Sequence, residues 1–184
     1  MNRSYANIAF TPVIKALQVH EGSRSKYAGF EDTADEPSAL SNAEVEFIES
    51  RDSFYQATVS ETGWPYVQHR GGPEGFLKVL GDKTIGFADF RGNRQLLSVG
   101  NLVSNDRIAL IMMDYASRHR LKLFGRVRLV RETEEPNLLA RLSVSGYPAK
   151  VERAFIIRVE GWSWNCSQHI TPRFKEGETK ADDS

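Results

Sequence analysis

A single cysteine, Cys166, in 184 residues leaves no partner for an internal disulfide and no multi-cysteine zinc site. Glycine and proline are modest, at 14 and 7, which excludes a collagen-like or proline-rich disordered chain. No apolar run approaches the roughly 20 residues that a helix needs to cross a bilayer. The opening residues, Met1 to Tyr5, lack the apolar stretch of a secretory signal. Neither sign of charge dominates, with 24 basic and 24 acidic residues. A nucleic-acid surface more often makes the whole domain basic. What remains is a soluble chain, 40% apolar and 26% charged, long enough to build one core without staples. The expectation is a cytoplasmic protein with no membrane and no nucleic-acid partner.

The balanced charge is unevenly distributed. Nine acids and one base lie between Glu31 and Glu61, whereas nine bases, eight of them arginine, and three acids lie between Ile85 and Arg131. Arginine presents a planar, permanently charged fork suited to phosphate or carboxylate. The arginine block is therefore a place to look for an anion.

Periodicity divides the chain into helical and strand-like stretches. The expected divisions are a helical extension over 1–40, a body over 41–174 and a flexible tail over 175–184. Thr11-Pro12 opens a helix carrying Val13, Ile14 and Leu17, and Asp32 to Ser38 reads as an exposed acidic loop. Ser41-Asn42-Ala43-Glu44 has the form of a capping box. From Phe54 the period becomes two. Glu61-Thr62-Gly63 and Gly81-Asp82-Lys83 are hairpin turns, and Leu121 to Arg131 alternates. Asn93 to Val103 has helical spacing, and Ile108 to Met113 reads as a strand covered on both faces. Glu134 to Ser143 is a surface helix and Ala154 to Val159 a last strand. Six or seven turn-separated strands with inserted helices imply a mainly β fold, a small antiparallel barrel.

Three stretches concentrate polar donors. Asp89 to Gln95 leaves a strand, passes Gly92 and enters a helix, so Asn93, Arg94 and Gln95 join free backbone donors in a set suited to a phosphate monoester. It is not a P-loop, since no Gly-Lys-Ser/Thr follows. Gln68-His69-Arg70-Gly71-Gly72-Pro73 offers donors beside glycines that permit close backbone approach. Trp162 to Arg173 is dense in aromatics and donors. Conventional catalytic sets are missing: His20, His69, His119 and His169 lack metal spacing, and no Gly-x-Ser-x-Gly occurs. A reaction here would depend on a bound cofactor, with Cys166 a packed or ligand-adjacent thiol.

In order, these stretches resemble the FMN-binding split-barrel family typified by pyridoxamine 5′-phosphate oxidase. The resemblance runs from about Ala43 to Arg173 and adds Pro65 to Arg70, Ile85 to Phe87, Ile108 to Met113 and Arg120 to Gly125. It implies a six- to seven-stranded antiparallel split barrel. Asn93-Arg94-Gln95 falls where the family has a small polar residue, an arginine and a lysine holding the FMN phosphate. Gln95 replaces the lysine, with Arg70 or Lys122 available to compensate. Gln68, His69, Arg70, Gly71 and Gly72 match the strand lining the ring and phosphate. Arg120 falls where the family often has a glutamine donating to the cofactor. Trp164 and Arg173 resemble a C-terminal Trp and Arg near the flavin, with spacing differing by one.

The same resemblance implies a homodimer with FMN at its interface and a small-molecule substrate. The true oxidase ends in an Arg-Leu-His-Asp-Arg-like segment that holds its substrate. Here His169-Ile170-Thr171-Pro172-Arg173 stands there, so the implied activity is a flavin-dependent oxidoreductase with another substrate. The rival readings are a haem- or deazaflavin-binding split barrel, a flavin carrier without turnover, and a nucleic-acid-binding barrel using Arg118, Arg120, Arg126 and Arg128.

Overall fold

A computed structural model describes residues 3–31, 39–165 and 167–175. The expected loop over 32–38, Cys166 and nearly all of the expected tail lie outside the described residues. The chain order is α1 (Arg3–Ala9), α2 (Pro12–His20), α3 (Arg24–Ala28), α4 (Asn42–Glu49), β1 (Ser53–Val59), β2 (Pro65–Gly71), β3 (Leu77–Gly81) and β4 (Thr84–Phe90). It continues with α5 (Leu97–Ser104), β5 (Arg107–Asp114), β6 (His119–Arg131), α6 (Pro136–Leu142) and β7 (Val151–Trp164). The seven strands form one antiparallel sheet in the order β2-β1-β5-β6-β7-β4-β3. The fold is mainly β, of the split-barrel type that the motifs implied.

Alternation places the core. Phe54 of β1, Phe87 of β4, Leu110 and Met112 of β5, Leu121 and Leu123 of β6, and Phe155 and Ile157 of β7 share one buried cluster. Helix α4 adds Ile48 to it, and its capping box forms: the Ser41 N–H donates to Glu44 Oε2 at 2.9 Å. A second cluster covers the other side of β4 and β7, where α6 brings Leu139 and Leu142 onto Ala88, Val130 and Ala154. Strand β5 is covered less fully than its apolar run suggested. Ile108, Leu110 and Met112 are buried, while Ala109, Ile111 and Met113 on the opposite face are half-buried.

A bulge decides the end of the sheet. Phe124 pairs with Gly161 but Gly125 with Val159, so Glu160 is an extra residue in β7. Before it, Phe155, Ile157 and Val159 face the core; beyond it, Trp162 and Trp164 do. The same shift turns Gly161 to the opposite face, where α1 lies. A Cβ on Gly161 would stand 2.6 Å from the Tyr5 backbone nitrogen, so this contact needs glycine. Tyr5 then stacks on Phe124 with ring centroids 4.6 Å apart.

Gly161→Ala is expected to push α1 off the sheet and to cost about 1–3 kcal/mol, the usual range for overpacking. A urea melt measures the loss, and faster proteolysis between α1 and α2 should accompany it. An unchanged midpoint with undiminished protection would show that α1 does not depend on this contact.

Candidate functional site

The first stretch, Asp89 to Gln95, takes a shape that its helical spacing did not indicate. Helix α5 begins at Leu97, four residues after Asn93. The intervening turn is held by the Asn93 side chain, whose Oδ1 accepts from the Gln95 N–H at 3.1 Å. Arg94 and Leu96 both adopt φ of 59°, a left-handed conformation that costs a non-glycine residue roughly 1–2 kcal/mol. Such strain persists only where surrounding structure fixes it, and it concentrates at ligand clamps.

The turn closes one side of a cavity of about 230 Å³. Its other walls are Tyr66, Gln68 and Arg70 on β2, Asp89 at the end of β4, the first turn of α5, and Glu152 on β7. Five expected site residues therefore meet in one place: Gln68, Arg70, Asn93, Arg94 and Gln95. Gln68 is held by α5, with the Ser98 hydroxyl donating to its Oε1 at 2.7 Å.

Charge organises the floor. Asp89 is 6% exposed. Its Oδ1 accepts from Arg70 Nη1 at 2.6 Å, and Oδ2 lies 3.2 Å from Arg153 Nε. Burial pushes the Asp89 carboxyl above its usual value, against the opposing pull of Arg70 and Arg153. Arg70 also lies over the rings of Phe87 and Phe155, at 5.8 and 5.2 Å, and its buried Nε has no hydrogen-bond partner. Glu152 gathers three further contacts, from Arg91 at 3.1 Å, Arg94 at 3.6 Å and Arg153 at 3.2 Å. Four guanidiniums thus share two carboxylates, a local excess of two positive charges. A phosphate dianion matches that excess. Arg94 is the most available of the four lining or flanking the cavity, with a side chain 60% exposed.

The other expected residues lie elsewhere. His69 points to the opposite face of β2, where it meets the Tyr55 ring edge-on at 5.3 Å. Gly71 borders a smaller cavity with His69 and Arg70, and the open side of Gly72 is filled by Phe76, whose Cγ would stand 2.7 Å from an added Cβ. Arg120 and Lys122 are on the outer face of β6, away from the cavity. Burial and the neighbouring Arg120 lower the Lys122 pKa, and its Nζ lies 5.3 Å from the Tyr5 ring centre. Trp164 is seated on α4, with Nε1 donating to Glu44 Oε1 at 2.6 Å. Arg173 packs over Tyr115 at 4.8 Å.

Sequence reasoning missed Tyr66, Ser98, Glu152 and Arg153. The last two precede the strand expected from Ala154, whereas β7 begins at Val151; pairing of Asp89 with Arg153 across β4 and β7 is what brings them to the site. Arg94 meets Glu152 across the cavity mouth rather than the Asp89 of its own stretch.

A family model described as pyridoxamine 5′-phosphate oxidase matches residues 40–165. This chain belongs to the pyridoxamine 5′-phosphate oxidase family. The family segment contains the whole sheet and the cavity, while α1, α2 and α3 precede it. Similar solved structures include one of a pyridoxamine 5′-phosphate oxidase-like protein from Lactobacillus delbrueckii, at 16% identity and TM-score 0.52, covering 68% of this chain and 93% of that one. A HupZ variant from Group A Streptococcus has 16% identity and TM-score 0.51, covering 68% and 99%. An F420 reductase has 16% identity and TM-score 0.50, covering 67% and 98%. At these identities the likeness is one of fold. No curated protein matches.

Arg70→Ala tests the charge arrangement. The Asp89 carboxyl already titrates above 3.8 in the folded protein, so its ionisation costs folding stability. Removing Arg70 pushes it further up. That part of the destabilisation is absent below the unfolded carboxylate value and grows as pH rises through the raised folded value. The variant should lose about 3 kcal/mol near neutral pH and measurably less near pH 4. Urea midpoints of parent and variant across pH give the comparison, and a gap independent of pH would contradict it.

Proposed function

We propose that the protein binds FMN as the cofactor of a flavin-dependent oxidoreductase, with the phosphate in the cavity between β2 and the turn before α5. The observation carrying this reading is the convergence of Arg94, Asn93, Gln95, Gln68 and Arg70 on that cavity, over a floor with two surplus positive charges. The partnerless Nε of Arg70 is a further buried donor at the same place. Gln95 stands where the family has a lysine, and Arg70 is the cation in position to replace it. Lys122 of the same chain, on the other face, is not.

A homodimer follows from size and sidedness. Pockets for whole small molecules run to roughly 300–1,000 Å³, larger than this cavity, so a flavin seated here must extend beyond it. Arg120 and Lys122 on the outer face of β6 cannot reach the same cavity within one chain. A second copy bringing that face to the cavity would complete the site. The outer face is suited to burial: Tyr55, Val67 and Ile111 border a mostly apolar depression of about 200 Å³ with Phe124 and Tyr5.

When bound, FMN would supply hydride or electron transfer through its ring. The chain's own residues would neutralise the phosphate through Arg94 and Arg70, orient it through the Gln68 amide, and keep water from the Asp89 side. The sequence at His169 to Arg173 favours a substrate other than that of the true oxidase.

The absorbance spectrum of the protein as purified, before any flavin is added, tests the reading. A two-banded yellow spectrum is expected, whereas a Soret band would indicate haem. Arg94→Ala should weaken FMN binding by about 10- to 100-fold, the loss expected on deleting a charged hydrogen-bond donor. Its exposed side chain predicts an unchanged melting temperature. Stoichiometric FMN in the purified variant would refute the phosphate assignment, and a monomer that retains full affinity would refute the shared site.

A further inference from the structure

Asp89 is an anion inside an anion site. It lines the cavity with Arg70 and Arg94, yet a ligand phosphate there would meet its negative charge at close range. Two roles are open to such a carboxylate. It can hold Arg70 in place, in which case its removal weakens binding, or it can compete with the ligand for positive charge, in which case its neutralisation strengthens binding.

The surroundings distinguish the two. Arg70 is fixed independently by the rings of Phe87 and Phe155 beneath its guanidinium, and by the strand that bears it. Arg153, the other partner of Asp89, is also held by Glu152. Both arginines therefore keep other contacts when Asp89 loses its charge, and a neutral side chain of the same shape can still accept from them. What Asp89 contributes is charge: with it ionised, four guanidiniums face two carboxylates, and with it neutral they face one.

We propose that Asp89 is a built-in rival anion that sets the affinity of the cavity for phosphate-bearing ligands, weakening their hold on Arg70 until it is neutralised. This rests on the reading of the cavity as a phosphate site. The groups facing Asp89 are Arg70 from β2, and Arg153 and Glu152 from β7, with Arg94 across the cavity from the turn. No histidine is among them, since His69 points to the opposite face of β2. Burial has already pushed the Asp89 carboxyl upward, which favours its neutral form.

Asp89→Asn, which keeps the shape and removes the charge, should tighten FMN binding by about tenfold, as expected for deleting a like charge a few ångströms away at intermediate dielectric. Flavin fluorescence quenching reads the affinity without turnover. Because the variant can fail to fold, the parent protein gives a second arm. Sulfate, whose charge is constant across the range, should bind the flavin-free parent more tightly as pH falls through the carboxylate range, from about 7 to about 4, with protons taken up on binding that calorimetry reads. In a folded Asp89→Asn protein that pH dependence should shrink. Weaker FMN binding in Asp89→Asn, or sulfate binding to the flavin-free parent that does not change with pH, overturns the proposal while leaving the phosphate site standing. Failure of the parent to bind either FMN or sulfate overturns both.

Discussion

The split in the barrel is spanned by one buried carboxylate. Strand β2 lies at one edge of the sheet and β4 next to the other, so no backbone ladder joins them. Asp89 crosses the gap, taking Arg70 from β2 with one oxygen and Arg153 from β7 with the other. Burying that charge is costly, and the two guanidiniums together with the rings of Phe87 and Phe155 make it tolerable. The cavity exists because the edges approach without pairing. Its positive floor exists because the contact holding them there needs arginine.

The second constraint is the extra residue in β7. Strict alternation would send Gly161 toward the core after Phe155, Ile157 and Val159, and leave Trp162 and Trp164 outside. Glu160 reverses the phase. Both tryptophans join the main cluster, Trp164 reaches Glu44 of the α4 capping box, and a bare glycine faces outward beneath α1. One residue thus couples the closing of the barrel end to the docking of the N-terminal helix. That helix lies outside the family segment and covers part of the outer face of β7.

These constraints give the two faces of the sheet different chemistry. Inside the split, donors and arginines surround a cavity of about 230 Å³. On the outer face, Tyr5, Tyr55, Val67 and Phe124 form an apolar surface with Lys122 at its margin. A ligand with an anionic end and a flat apolar end has a use for both. On the proposed reading, a second copy would bring the outer face to the cavity.

Much of this was legible in the chain itself. The period-two stretches, the turns at Gly63 and at Asp82-Lys83, the capping box at Ser41 and the leucines of α6 are local signals, and they gave the strands and the mainly β fold. Of the two polar stretches, Asn93-Arg94-Gln95 lines the cavity in full, whereas alternation along β2 leaves only Gln68 and Arg70 there. The start of α5 was misplaced by four residues. The apolar spacing of Leu96, Leu97, Val99 and Leu102 begins before the helix does, and the Asx turn at Asn93 with two left-handed residues holds the backbone out of it. The sheet alone decided which strands became edges, that Asp89 would meet Arg70 and Arg153, and that Arg120 and Lys122 would face away from Arg94. The reason is physical: residue order fixes local period and capping, whereas pairing register, a one-residue bulge and the cost of burying a charge are settled only when distant strands meet.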